Sequence, residues 1–226
     1  MRWEFVIQQK LKAAVMLAVV MLAVVVFNLA ERRNIAAINQ SVTSIYNDRL
    51  VPATDIFYLT EKLYNKRFEM EKFLSAPVKE TAIIATKLSE HNKNIDLLIR
   101  SFGKTYLVSK EHLFLKDLRL KVNRYNQIEK QIFSLAAQGA FVEARNLYET
   151  EGRELLRHNI SNLAMLTKIQ TEVGNELMKD SEGILATSDM LSTLQMVLVI
   201  IIGIAVVSLI TISKAVSVKH ESFNLN

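Results

Sequence analysis

The chain has 226 residues, half of them apolar, with six glycines, two prolines, no cysteine and a formal net charge of +5. Lacking cysteine, it has neither a disulfide framework nor a thiolate metal site, and so little glycine and proline points away from sheet and toward helix. The basic excess is no nucleic-acid footprint. Most of it comes from Arg2, Lys10, Lys12, Lys214 and Lys219 at the two ends, while residues 31 to 189 are nearly balanced.

Residues 1–12 form a short basic N-terminus. Residues 13–30 carry no charge and are just long enough to cross a bilayer core of ~30 Å at ~1.5 Å per residue. Basic residues before an apolar core also describe a signal peptide, but Asn28 ahead of Ala30 is a poor cleavage site. A seven-residue apolar repeat starts straight afterwards with Ile35, Ile38, Val42 and Ile45. It meets Arg49 and Pro52 where apolar residues are due, then resumes in register at Ile56, Leu59, Leu63, Met70 and Phe73. One long helix over 31–75 is therefore predicted, with a kink or short unwound turn at 46–52.

Pro77 marks the start of a second helix running to about Phe102, with Ile84, Leu88, Ile95, Leu98 and Phe102 on one face and Gly103 as a left-handed cap. Ser109 is the expected N-cap of a third helix with Leu118, Val122, Tyr125, Ile128, Ile132 and Leu135 on its stripe, closed by Gly139. The fourth helix opens with Phe141, Ala144 and Leu147. It continues at multiples of seven through Leu156, Leu163, Leu177, Ile184 and Leu191, with Gln170 the polar member of that register. Residues 190–213 are again uncharged and form a second span, and 214–226 make a short tail.

These elements define an all-α chain: two transmembrane helices flanking an antiparallel up-down-up-down four-helix bundle whose first and fourth helices are long. Positive ends stay in the cytoplasm, so both termini are expected inside and residues 31–189 outside, although Arg32 and Arg33 pull the other way. Folding the second helix back on the first brings Gly103 level with the 46–52 break, where four helices give way to two. Antiparallel pairing of the long helices then puts Gly174 across from Arg49. Tyr46, Asp48, Arg49, Pro52 and Gly174 read as a structural junction, with Arg49 paired to Asp48 or Asp55 or capping carbonyls freed by proline.

The run Ser44-Ile45-Tyr46-Asn47-Asp48-Arg49-Leu50-Val51-Pro52, together with Leu135-Ala136-Ala137-Gln138-Gly139 and Glu143-Ala144, resembles the four-helix-bundle ligand-binding domain of methyl-accepting chemotaxis proteins. The resemblance covers residues 1 to about 213 and implies a homodimer in a bacterial inner membrane, a periplasmic sensor, and motion of the fourth helix and second span as output. It differs from the full receptor pattern in having only 214–226 after the second span, without a linker or cytoplasmic signalling domain, so either a separate output protein or a sensory module detached from any output is expected.

No phosphate loop, metal cluster or nucleophile triad stands out, so the chain reads as non-enzymatic, without metal or cofactor. Glu69, Glu71 and Asp117 look like surface carboxylates, His91 like a core histidine, and His158 like the partner of Glu154 in a helix ion pair. The resembling family binds small ligands between the outer helices. Here Lys66, at a core-like position beside Arg67, lies near the level of Arg153 and Arg157, and the four could clamp a small anionic ligand. The plainer alternative is that their stems lie along the bundle and their tips reach water. A membrane-anchored coiled-coil scaffold or interaction protein without a small ligand is the competing function.

Overall fold

The heptads become helices over nearly the whole chain. The computed structural model describes the backbone of residues 2–75 and 81–221 and the side chains of 15–75 and 81–208. Helices α1 (Arg2–Ser44) and α2 (Val51–Ser75) are joined by a π-helical turn, Ile45–Leu50; α3 is Thr81–Phe102 and α4 is Ser109–Ala137. Then α5 (Phe141–Leu147) and α6 (Arg153–Glu221) are joined by a second π-helical turn, Tyr148–Gly152, and no strand occurs among the described residues. The expected helix start at Pro77 lies outside the described residues.

The chain divides into two units, one holding residues up to Gln40 with those from Lys179 onward, the other Ser41–Met178. In the first, Asn34 Nδ2 of α1 donates to Ser188 Oγ of α6 at 3.0 Å. Its apolar side chains, Leu22 and Val26 on α1 and Val199 and Ile200 on α6 among them, are exposed. The helical runs Val15–Ser75 and Phe141–Ser208 each contain a stretch long and apolar enough to cross a membrane, with none of it buried. An exposed apolar surface of this extent is what a lipid environment accommodates.

The second unit is the four-helix bundle, built from α2, α3, α4 and the α5–α6 rod as far as Met178. Its core falls into two apolar clusters. Ile56, Leu59 and Leu63 of α2 meet Ile95, Ile99 and Phe102 of α3, Leu118 and Val122 of α4, and Leu163 and Leu166 of α6 in one. Met70, Phe73, Ile84, Leu88, Ile128, Ile132, Ala144 and Tyr148 fill the other. Each fully buried aliphatic or aromatic side chain contributes ~1.5–3 kcal/mol, so this stripe matching is what closes the bundle.

Local chemistry differs from the sequence expectations at four points. Residues 46–52 are not unwound: the π-helical turn before Pro52 closes with the Val51 N–H on the Tyr46 carbonyl, and the widened ring makes room for the proline. Gly103 is not a left-handed cap: its N–H bonds the Ile99 carbonyl at 3.0 Å, and Gly139, at φ 81°, holds the one positive φ among the described residues. There the Ala140 N–H reaches the Leu135 carbonyl at 2.9 Å and ends α4 as expected. Ser109 is the first helical residue rather than the cap; Val108 precedes it, and its N–H is taken by Glu111 at 2.8 Å.

Gly174 is the fourth. Arg49 faces Gln170, one turn earlier on α6, and a Cβ built on Gly174 would have no atom within 4 Å, so no close approach explains that glycine. Gly152 does have a packing reason. A Cβ there would sit 2.8 Å from the buried Tyr148 ring, inside the second π-helical turn. Gly152→Ala is therefore expected to lower stability by ~1–3 kcal/mol despite the better helix propensity of alanine, read as a lower urea midpoint by circular dichroism of the purified chain.

Candidate functional site

Lys66 occupies an apolar position of the α2 repeat, between Leu63 and Met70, and the structure puts its side chain inside the bundle with 0% exposure. Its ammonium donates to Asn126 Oδ1 at 2.7 Å, pairs with Glu129 Oε2 at 3.1 Å and lies 4.7 Å from the Tyr125 ring centroid. Asn92 of α3 donates to the same carboxylate oxygen at 3.4 Å. This layer from α2, α3 and α4 stands between the two apolar clusters. Burial pushes the Lys66 ammonium below its ordinary pKa while Glu129 opposes that, and burial likewise pushes the Glu129 carboxyl up against the pull of Lys66. The layer is incompletely bonded: Glu129 Oε1 and the Tyr125 hydroxyl are buried without a hydrogen-bond partner, as are both polar atoms of the Asn159 amide on α6.

At the other end of the bundle Arg49 emerges from the first π-helical turn and is also buried. Its Nη1 donates to Glu111 Oε1 at 2.8 Å, to Oε2 at 3.0 Å and to Gln170 Oε1 at 3.3 Å, and its Nη2 reaches the Tyr106 carbonyl at 3.2 Å. Neither Asp48 nor Asp55 is its partner. Asp48 instead accepts the Tyr106 N–H at 2.9 Å and the Ser44 hydroxyl at 3.0 Å. Two adjacent side chains thus fasten the α3–α4 loop to the long first helix, which sets the end of the four-helix packing at the 46–52 level the sequence indicated. Tyr46 itself points outward, 60% exposed, and Pro52 is buried.

The four cations expected to converge do not. Lys66 is enclosed with Glu129. Arg67 and Arg153 meet on the outer surface, where Glu71 Oε1 accepts from Arg67 Nε at 2.9 Å and from Arg153 Nη2 at 3.4 Å, and Arg153 also pairs with Glu149 at 2.8 Å. Arg157 pairs along its own helix with Glu154, whose carboxyl it pulls down to about 2 with help from His158, 2.9 Å away. Glu69, expected on the surface, is buried. Sequence reasoning missed Glu111, Glu129, Asn92 and Asn126. Glu111 carries a signal, an acid three residues into the α4 start after Val108; Glu129 sits one position off the apolar stripe and carries none.

The bundle thus carries a polar layer between its apolar clusters, and the helical runs that enter and leave it each contain a stretch long and apolar enough to cross a bilayer. A family model described as a four helix bundle sensory module for signal transduction matches residues 4–184, and the chain belongs to that family. No curated protein matches it.

Two measurements follow from the buried groups. Lys66→Met alone leaves Glu129 as an uncompensated buried carboxylate and is expected to cost ~3–5 kcal/mol, whereas Lys66→Met with Glu129→Leu recovers most of that loss; urea unfolding of the three chains checks it. Burial, reinforced by Glu71, raises the Tyr148 hydroxyl to about 12 from 10.0. The unfolded chain releases this proton first, so stability is complete below the unfolded value and falls as pH climbs through the folded one. Tyr148→Phe should flatten the decline in melting temperature over that range.

Proposed function

We propose that the chain is a chemoreceptor-like sensor anchored in a bacterial inner membrane, with the bundle in the periplasm, both termini in the cytoplasm, and signal passed by motion of α6. The observation that carries this reading is the continuity of α6. One uninterrupted helix runs from Arg153 in the bundle through the apolar stretch to Glu221, an element that both share. The family assignment to signal transduction supports the same reading.

The sensed ligand is a small anion held by Arg67 and Arg153, and Arg157 stands at the same face. Glu71, lying between the first two, is the kind of carboxylate the pair would hold, which supports this reading, and a ligand would compete with it. Lys66, enclosed with Glu129, takes no part. The exposed row Tyr46, Leu50, Phe57 and Tyr64 on the first helix fits a homodimer seam. That same apolar row favours the second reading, a membrane-anchored interaction scaffold with no small ligand.

The absence of cysteine makes the test clean. In intact bacteria Ser109→Cys is expected to react with a membrane-impermeant maleimide and Ser217→Cys only after permeabilisation; the reverse pattern would overturn the orientation. Phe57→Cys is expected to form a crosslinked dimer under mild oxidation, and a library of carboxylates to change its rate. If no carboxylate changes that rate and Arg153→Ala behaves as the unsubstituted chain, the scaffold reading stands in place of the sensor.

A further inference from the structure

Residues Asn65, Phe68 and Glu69 of α2 face Lys87, Glu90 and His91 of α3 across a groove of about 340 Å³. The spacing on both helices is i, i+3, i+4, which aligns each set on one face. We propose that this groove is a binding site for a small primary ammonium compound. Glu69 is only 7% exposed; Lys87 holds its Oε1 at 2.8 Å, and its Oε2 has no hydrogen-bond partner. His91 Nδ1 is equally buried and unpartnered. Burial and the neighbouring Lys62 push this imidazole below its ordinary pKa, against Glu90 and Glu69, and the neutral ring presents Nδ1 as an acceptor in the tautomer that carries its proton on Nε2.

Two unpartnered acceptors in one groove call for a ligand that only donates, and an ammonium supplies three donors and no acceptor. Lys87 already displays the match: an alkylammonium seated on Glu69, on a side chain 48% exposed that can swing aside. Glu69 and Glu90 against Lys87 leave the lining net negative. Phe68, 66% exposed, offers a ring to the methylenes and to the cation. A metal ion is the poorer occupant, because the described residues contain no group of three His, Asp or Glu placed to hold one.

The site gives the sensory reading a second ligand class, yet its test needs no signal. Isothermal titration of the full chain in detergent with n-butylammonium, 2-aminohexanoate and hexanoate reads binding directly. Saturable heat with n-butylammonium, none with hexanoate, and at least tenfold weaker binding in Glu69→Gln at an unchanged melting temperature are expected. Tighter binding of 2-aminohexanoate would make the source an amino acid, with its carboxylate on Lys87; equal or weaker binding would make it a simple amine. If Glu69→Gln fails to fold, Glu90→Gln and the surface change Phe68→Ala serve instead, each expected to weaken binding several-fold. No heat with n-butylammonium, equal affinity in the variants, or equal binding of hexanoate overturns the site and leaves the sensory assignment untouched.

Discussion

A lysine ammonium closed inside a helical bundle is the constraint to which the rest of the packing answers. Taking that charge out of water is costly unless a counter-charge and further hydrogen bonds arrive with it, and Glu129 and Asn126 of α4 supply them to Lys66 of α2. Apolar stripes alone would let two helices slide by a turn with modest loss, because leucines and isoleucines substitute for one another as neighbours. Sliding Lys66 by a turn would leave two buried charges unpaired. The polar layer therefore sets the axial level of α2 against α4, and the two apolar clusters lie on either side of it.

Arg49 does the same at the far end with different partners. By gathering Glu111, Gln170 and the Tyr106 carbonyl it ties the long first helix to the α4 start, to α6 and to the α3–α4 loop. The two π-helical turns belong to the same logic. Each inserts a wide ring into a long helix, one before Pro52 and one at the Tyr148–Gly152 packing point. A wide turn shifts the phase of the side chains that follow it without breaking the rod. Arg49 and Tyr148 both lie in such turns and both are buried.

Much of this was legible in the sequence. The helices, their faces and the helical runs apolar enough for a membrane follow from periodicity, which reports directly on which side of a helix meets apolar neighbours. Axial level is less legible, because a heptad pattern looks nearly the same after a shift of one turn; hence Gln170 rather than Gly174 faces Arg49. Lys66 could be recognised as standing in a core position, but not its partner, since Glu129 lies on another helix one place off the stripe. Grouping Lys66 with Arg67, Arg153 and Arg157 followed from height along the rod. What separates them is rotation about the α2 axis: consecutive residues 66 and 67 point about 100° apart, one inward and one to solvent.

The polar interior is also where a bundle of this kind can be made to switch. A purely apolar core packed to native density has one arrangement well below the rest. Here Glu129 Oε1, the Tyr125 hydroxyl, the Asn159 amide and Gln170 Nε2 are buried without partners. Each such group costs ~1–3 kcal/mol in place, and two of them, Asn159 and Gln170, belong to α6. Allosteric coupling between a ligand and a helix position is ordinarily ~1–3 kcal/mol, the same scale as one of these vacancies. Were α6 to move as the proposed sensor requires, the cost of these unfinished hydrogen bonds would lie on the same scale as the coupling itself.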